Sequence, residues 1–279
     1  MKTIKAQSLH RAVVDMILRA HRSIRPDVLE AFKKSYAAET LPVAQEVMRQ
    51  LLENADYAQS SGLPLCQDCG AAVFFVEHGE DVRLAGGTLV DVLNTAMVEA
   101  YVKGSLRKSI CHPFTRKNTG DNSPAMIHTE LVPGDKVRIR YMAKGGGSEN
   151  MSRATMLTPA QGWKGIKDFV ITRMAEAGPN PCPPTIVGVG VGGTFDIVPT
   201  LAKQALFRPI PVPHADPEIA AMEQELFAAV NALGIGPMGL GGKTTCLAVK
   251  MEIMPCHIAS LPVAINVQCH SSRHEEVIL

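Results

Sequence analysis

Hydrophobic periodicity changes character along this chain, and that change limits the folds open to it. The first sixty residues repeat at helical spacing. Leu9, Val13, Ile17 and Leu18 mark one stripe. Pro26-Asp27 opens a second helix carrying Val28, Leu29 and Phe32, and Pro42 a third carrying Val43, Val47 and Leu51. Beyond them the pattern mixes both periods. Residues 71–76 form an apolar run that fits a buried strand, and 88–102 a helix. Residues 125–132 and 136–142 read as strands, and Pro133-Gly134-Asp135 between them predicts a hairpin. Helices are expected from Pro159 to about Ala177, over 194–207, and from Asp216-Pro217 to near Gly234. Strands are expected over 185–191, 244–253 and 257–267, the last opened by His257. The fold class that follows is α/β (mixed α+β): a helical N-terminal segment, then mixed strands and helices. No sequence repeat or linker interrupts the pattern, so residues 1–279 read as a single domain.

Composition narrows the function. A net charge of +1 over 279 residues offers no broad field for nucleic acid or an anionic membrane. No apolar run reaches the roughly 18 residues of a membrane helix, and Met1-Lys2-Thr3-Ile4-Lys5-Ala6 lacks an apolar signal core. The expectation is a cytoplasmic protein. Seven cysteines, an odd number, argue against a secreted disulfide framework. Cys111, Cys246 and Cys256 are expected to be small buried hydrophobes.

The remaining cysteines stand in unusual settings. Cys66-Gln67-Asp68-Cys69 puts thiol, amide and carboxylate side by side in a turn. Its C-x-x-C spacing fits a redox dithiol, half a zinc site, or a single metal ligand beside a bystander. Cys182 lies in Asn180-Pro181-Cys182-Pro183-Pro184, where the prolines fix the backbone and remove amide donors. Cys269 follows an apolar strand and precedes polar His270-Ser271-Ser272-Arg273. If Cys66, Cys182 and Cys269 converge, three thiolates leave one corner of a cubane iron–sulfur cluster open, and an open iron can act as a Lewis acid.

Glycine-rich segments come next. Lys144-Gly145-Gly146-Gly147-Ser148-Glu149-Asn150 lets backbone amides approach an anion. Gly188-Val189-Gly190-Val191-Gly192-Gly193 lacks the acidic residue that a dinucleotide fingerprint needs about 20 positions on. Gly239-Leu240-Gly241-Gly242-Lys243-Thr244 fails as a Walker A loop, because Pro237 stands where the first glycine belongs. Arg107 ends a helix, where a cation complements the dipole or forks onto a carboxylate.

Taken together, several stretches resemble the iron–sulfur hydro-lyases of the class I fumarase and L-tartrate dehydratase family. They are Pro64-Leu65-Cys66-Gln67-Asp68, Leu106-Arg107-Lys108-Ser109, Arg116-Lys117-Asn118-Thr119-Gly120-Asp121-Asn122, the loop from Lys144 to Asn150, Asn180-Pro181-Cys182-Pro183-Pro184, and Gly239-Leu240-Gly241-Gly242. The resemblance covers essentially the whole chain, in order. It implies a 4Fe-4S cluster held in a cleft by Cys66, Cys182 and Cys269, with one open iron. It implies substrate contacts at Gln67, Arg107 and Gly146, and catalytic roles for Asp68 and His257. The chain departs from the family at Cys69, where Thr is usual. It also matches only the larger domain of single-chain class I fumarases, so it resembles the α subunit of a two-chain enzyme. The partners implied are a β subunit, in an αβ assembly or higher oligomer, and a small dicarboxylate.

The reaction implied is reversible hydration of fumarate to L-malate. L-tartrate dehydration is the nearest rival. A non-catalytic iron–sulfur carrier or sensor, and a dithiol redox protein using Cys66 and Cys69, are rivals from other classes.

Overall fold

A computed structural model describes all 279 residues. The elements run β1 (Lys2–Lys5), α1 (Ala6–Arg22), α2 (Pro26–Ala38), α3 (Pro42–Ser61), β2 (Ala71–Gly79), β3 (Val82–Ala85), α4 (Leu89–Lys103), β4 (Met126–Val132) and β5 (Val137–Lys144). They continue with α5 (Gly146–Glu149), β6 (Arg153–Leu157), α6 (Gly162–Ala177), β7 (Thr185–Gly193), α7 (Val198–Ala205), α8 (Pro217–Asn231), β8 (Cys246–Cys256), β9 (Leu261–Gln268) and β10 (His274–Ile278). The fold is mixed α/β, as the periodicity predicts. No helix is long and apolar enough to cross a membrane. The path divides into two compact units. The first comprises Met1–Arg25, Asn54–Gly146 and Arg273–Leu279, and the second Pro26–Glu53 and Gly147–Ser272.

In the first unit a four-stranded sheet has the order β10-β5-β2-β4. β2 is apolar on both faces: Ala72, Val73, Phe74, Phe75 and Val76 are all buried. Such a strand belongs in the middle of a sheet, where both edges are hydrogen-bonded and both faces covered. β4 joins one edge in parallel and β5 the other antiparallel. α1 packs against α4, and the two contribute Leu9, Val13, Ile17, Leu93, Met97 and Tyr101 to the core of this unit. Burial of each large aliphatic side chain contributes about 1.5–3 kcal/mol. α4 starts cleanly because the Thr88 hydroxyl caps the Asp91 amide at 3.2 Å.

This order overturns the predicted hairpin. β4 and β5 are not neighbours, because β2 runs between them. The Pro133-Gly134-Asp135 turn arches over the end of β2, where Asp81 N donates to Gly134 O at 3.0 Å and Gly79 N to Lys136 O at 2.9 Å. The turn chemistry was read correctly; the pairing was not, since the more apolar strand claims both edges.

The second unit has a sheet of order β6-β9-β7-β8. β7 pairs in parallel with β8 and antiparallel with β9. Its core gathers Val187, Val189, Val249, Met251, Ile265 and Val267 with Val170 and Met174 of α6 and Leu226 and Val230 of α8. The glycines of β7 serve packing. A Cβ on Gly188 would strike Ala202 O, and one on Gly190 would strike Val198 O, both on α7. The strand's bare backbone therefore lets α7 lie directly on the sheet.

The two sheets share one topology, although the sequence shows no repeat. In each, a central apolar strand is followed by a helical crossover to a parallel neighbour, and then by a return on its other edge. Four short strands, β1, β3, β6 and β10, carry too few apolar residues to stand out by periodicity. The largest shifts are at α7, which begins at Val198, and β9, which begins at Leu261 and leaves His257 in the turn after β8.

Candidate active site

The shared topology sets equivalent ends together. In the first unit the start of β2 lies beside the end of β5, with Ala71 opposite Lys144. The loop 66–70 therefore meets Gly145-Gly146. In the second unit the start of β7 lies beside the end of β9, with Ile186 opposite Gln268. The Cys182 loop therefore meets Cys269-His270. The unusual cysteines thus occupy matching positions, before the central strand and after its antiparallel neighbour.

Loop 66–70 is held closely. Asp68 Oδ1 accepts from Gly70 N at 2.9 Å, and Oδ2 from Gly146 N at 2.8 Å. The carboxylate is half-buried and receives two backbone N–H donors, the arrangement of a fixed acceptor. Gly70, at φ +69°, could not be replaced: a Cβ would come within 2.6 Å of Lys144 O. Below the loop, buried Arg273 donates Nη1 to Asp68 O. Tyr101 Oη donates to Cys69 O at 2.8 Å and lies 3.1 Å from Gly70 O.

Tyr101 belongs to a directed chain. Its single proton goes to carbonyls, which only accept, so its oxygen receives the Tyr141 hydroxyl proton. Tyr141 in turn lies 3.0 Å from His21 Nε2, which must then carry the ring proton. Burial raises both phenols well above their ordinary range, so they stay protonated. Burial first, and the Arg273 charge second, hold His21 well below the usual imidazole range, so it stays neutral. Its carbonyl accepts from Leu65 N at 2.8 Å, just before Cys66.

Cys66 is half-buried, with Sγ 3.4 Å from Gln67 Oε1, and the Gln67 side chain is exposed. Cys69 is buried, and burial raises its thiol above the usual range. Its Sγ accepts from Arg107 N at 3.2 Å, which leaves the Arg107 side chain exposed at the same end of the unit. The first unit therefore brings Cys66, Gln67, Asp68, Arg107 and Gly146 together.

In the second unit Cys182 adopts φ +53°, a left-handed conformation that costs a non-glycine residue on the order of 1–2 kcal/mol. Neighbours hold it there. Cys182 N donates to Pro179 O at 3.0 Å, His270 N donates to Cys182 O at 3.2 Å, and Met238 N donates to Pro183 O at 2.7 Å. The last bond gives the Gly239-to-Gly242 stretch its place: it buttresses the Cys182 loop. Cys269 is buried, with Sγ 3.1 Å from Ser271 Oγ. None of the seven cysteines is in a disulfide. Glu149 anchors the glycine loop, accepting from Lys203 Nζ at 2.5 Å and Asn266 Nδ2 at 3.0 Å.

Cys182 and Cys269 thus lie on adjoining backbones as thiols outside any disulfide, a chemistry that fits an iron–sulfur centre. His257 does not join them. It is exposed, its Nδ1 accepts from Ala259 N at 3.1 Å, and β9 separates it from Cys269. At about 3.3 Å per residue that strand spans roughly 25 Å. Among the other thiols, Cys246 is buried as expected, whereas Cys256 is exposed and Cys111 half-buried, because each lies outside the packed faces. Arg273, Tyr101, Tyr141 and His21 were missed by sequence reasoning. Only the polar run after Cys269 hinted at the first of them.

The chain matches the fumarate hydratase (fumerase) family over residues 10–278. It is 39% identical over 267 residues to a Methanocaldococcus jannaschii chain named "Putative L(+)-tartrate dehydratase subunit alpha", covering 94% of both. It is 31% identical over 257 residues to the L(+)-tartrate dehydratase subunit alpha of Escherichia coli K12, covering 91% of this chain and 84% of that one. The chain belongs to the fumarate hydratase family, and is an enzyme of the hydro-lyase type.

Proposed function

We propose that this chain is the α subunit of a two-chain 4Fe-4S hydro-lyase that reversibly hydrates fumarate to L-malate. The observation that carries the reading is Asp68, a half-buried carboxylate fixed by two backbone amides two residues from Cys66. Cys66, Cys182 and Cys269 are the three thiolates. A cluster held by three thiolates supplies, when bound, a Lewis-acidic iron with an open position. The absence of any disulfide and a left-handed backbone at Cys182 support the assignment. Seven cysteines with no disulfide among them also suit the cytoplasm.

The chain's own residues do the rest. Asp68 moves the proton at the substrate hydroxyl, a role worth about 10²–10⁴-fold. The Arg107 guanidinium binds a substrate carboxylate and balances the charge that grows on it as the C3 proton leaves. Gln67 offers an exposed amide to the polar substrate. The Gly146 N–H is committed to Asp68, so Gly146 aids substrate binding by holding that carboxylate. A β subunit completes the site, in an αβ assembly or larger oligomer.

A second reading is L(+)-tartrate dehydration, favoured by the printed names of the relatives. The deciding experiment co-purifies the chain with its β partner without oxygen and assays fumarate, L-malate and L(+)-tartrate side by side. Turnover of fumarate and L-malate above tartrate supports the first reading. Preference for tartrate selects the second. A cluster-loaded complex inactive on all three refutes both.

A further inference from the structure

The polar loop ending in Asp121-Asn122 has no role in the chemistry above, yet Asn122 is fully buried. Its Oδ1 accepts from Ser109 N at 2.6 Å and Ile110 N at 3.2 Å. Its Nδ2 donates to Gly70 O at 3.2 Å. One amide therefore spans two segments far apart in sequence: the stretch after Arg107 and the loop that carries Asp68. Cys69 ties the same two segments a second time, through Arg107 N to Sγ at 3.2 Å. The rest of its loop holds Asn122 in place. Asn118 Nδ2 donates to Lys108 O at 3.1 Å, and Asp121 Oδ1 accepts from Ser123 N at 2.9 Å. Asn tolerates its own φ of +69° better than most residues do.

We propose that Asn122, with the Cys69 thiol as a second tie, is a positioning residue that fixes the spacing between Asp68 and Arg107, and so the length of dicarboxylate the enzyme accepts. This use of the spacing rests on the hydro-lyase reading; the mechanical coupling does not. Asn is suited to the task because one side-chain amide carries both an acceptor and a donor. A carboxylate of the same shape keeps the acceptor half only. Cys69, for its part, works as a hydrogen-bond acceptor and not as a redox thiol, so serine can stand in for it.

The test uses the αβ holoenzyme and three variants, Asn122→Asp, Cys69→Ala and Cys69→Ser. Hydrogen–deuterium exchange is followed in peptides covering residues 66–72 and 107–111. Asn122→Asp and Cys69→Ala should each speed exchange in both segments, and Cys69→Ser should restore the wild-type pattern. Exchange unchanged, or raised in one segment alone, overturns the coupling. In kinetics, Asn122→Asp should raise KM for the four-carbon substrate at least tenfold and lower kcat as well, because Asp68 and Arg107 both act as the reaction proceeds. Its preference for four-carbon over five-carbon dicarboxylate inhibitors should fall about as far. KM and inhibitor preference unchanged overturn the spacing role. If the wild-type complex turns over no dicarboxylate, the hydro-lyase reading has failed instead, and exchange alone decides the coupling. If Asn122→Asp does not fold, the Cys69→Ala and Cys69→Ser pair decides it by the same readouts.

Discussion

His21 sits at the head of the buried chain that ends on the Cys69 and Gly70 carbonyls, and it should make the first unit sensitive to mild acid. Burial disfavours its charged form, so its folded pKa lies well below the ordinary value. In the unfolded chain it titrates near about 6.5. Between those two values the unfolded state binds the extra proton, so stability rises with pH through that window and is complete above it. The folded form gains nothing from protonation, because Nε2 already donates to Tyr141. Going from pH 7.5 to 5.5 should therefore cost about 1.4 kcal/mol through this one residue, and pH 5.0 about 2 kcal/mol. The measurement is a difference, so that contributions common to both proteins cancel. Urea unfolding of wild type and His21→Gln is compared at pH 5.5, 6.5 and 7.5. The variant should be less stable at pH 7.5, by about 1 kcal/mol for the weakened hydrogen bond, and should close that gap as the pH falls. Parallel pH dependences in the two proteins would refute the claim that His21 is buried neutral.

Three further outcomes follow from the same geometry. Glu39 accepts from Thr40, Leu41 and Lys243 amides, and these outweigh its burial to hold it below the usual carboxylate range. Its contribution is present above about pH 4.3 and fades as pH falls through the lower folded value. Glu39→Gln should thus lose about 1.5–3 kcal/mol at pH 7 and lose less below pH 4 in acid unfolding. Gly190→Ala should push α7 off β7 at a cost of about 1–3 kcal/mol in thermal or chemical melts; an unchanged midpoint would show that the helix yields freely. Asp68→Asn should keep cluster absorbance and substrate affinity while turnover drops about 10²–10⁴-fold, and wild-type turnover would remove Asp68 from the reaction.

Much of this was legible before any coordinates. The stripes of α1 and α2 and the apolar run of β2 are local signals, and each marks a buried face; the α3 stripe marks the helix but not its buried face, which Ala44 and Met48 form while Val43 is exposed. The failures that bear on topology and the site are nonlocal. A turn between two strands says nothing about a third strand inserted between them, so β4 and β5 were paired wrongly. The site's supports are interior polar groups scattered from His21 to Arg273. No spacing rule links a tyrosine on the apolar face of α4 to a carbonyl 32 residues earlier. The departure at Cys69, once placed, reads as a buried acceptor where a hydroxyl would serve equally well.

One feature of the chain path bears on how the enzyme is made. The first unit begins with Met1–Arg25 but is finished by Arg273–Leu279, which brings both the edge strand β10 and the guanidinium under Asp68. A ribosome that has completed Gly146 must translate all of Gly147–Ser272 before that strand exists, a wait on the order of ten seconds. Throughout that interval β5 has an open edge and the Asp68 loop lacks its anchor. A nascent chain is thereby exposed to edge-to-edge association. On the proposed iron–sulfur reading, cluster assembly belongs after translation, when residue 273 is in place.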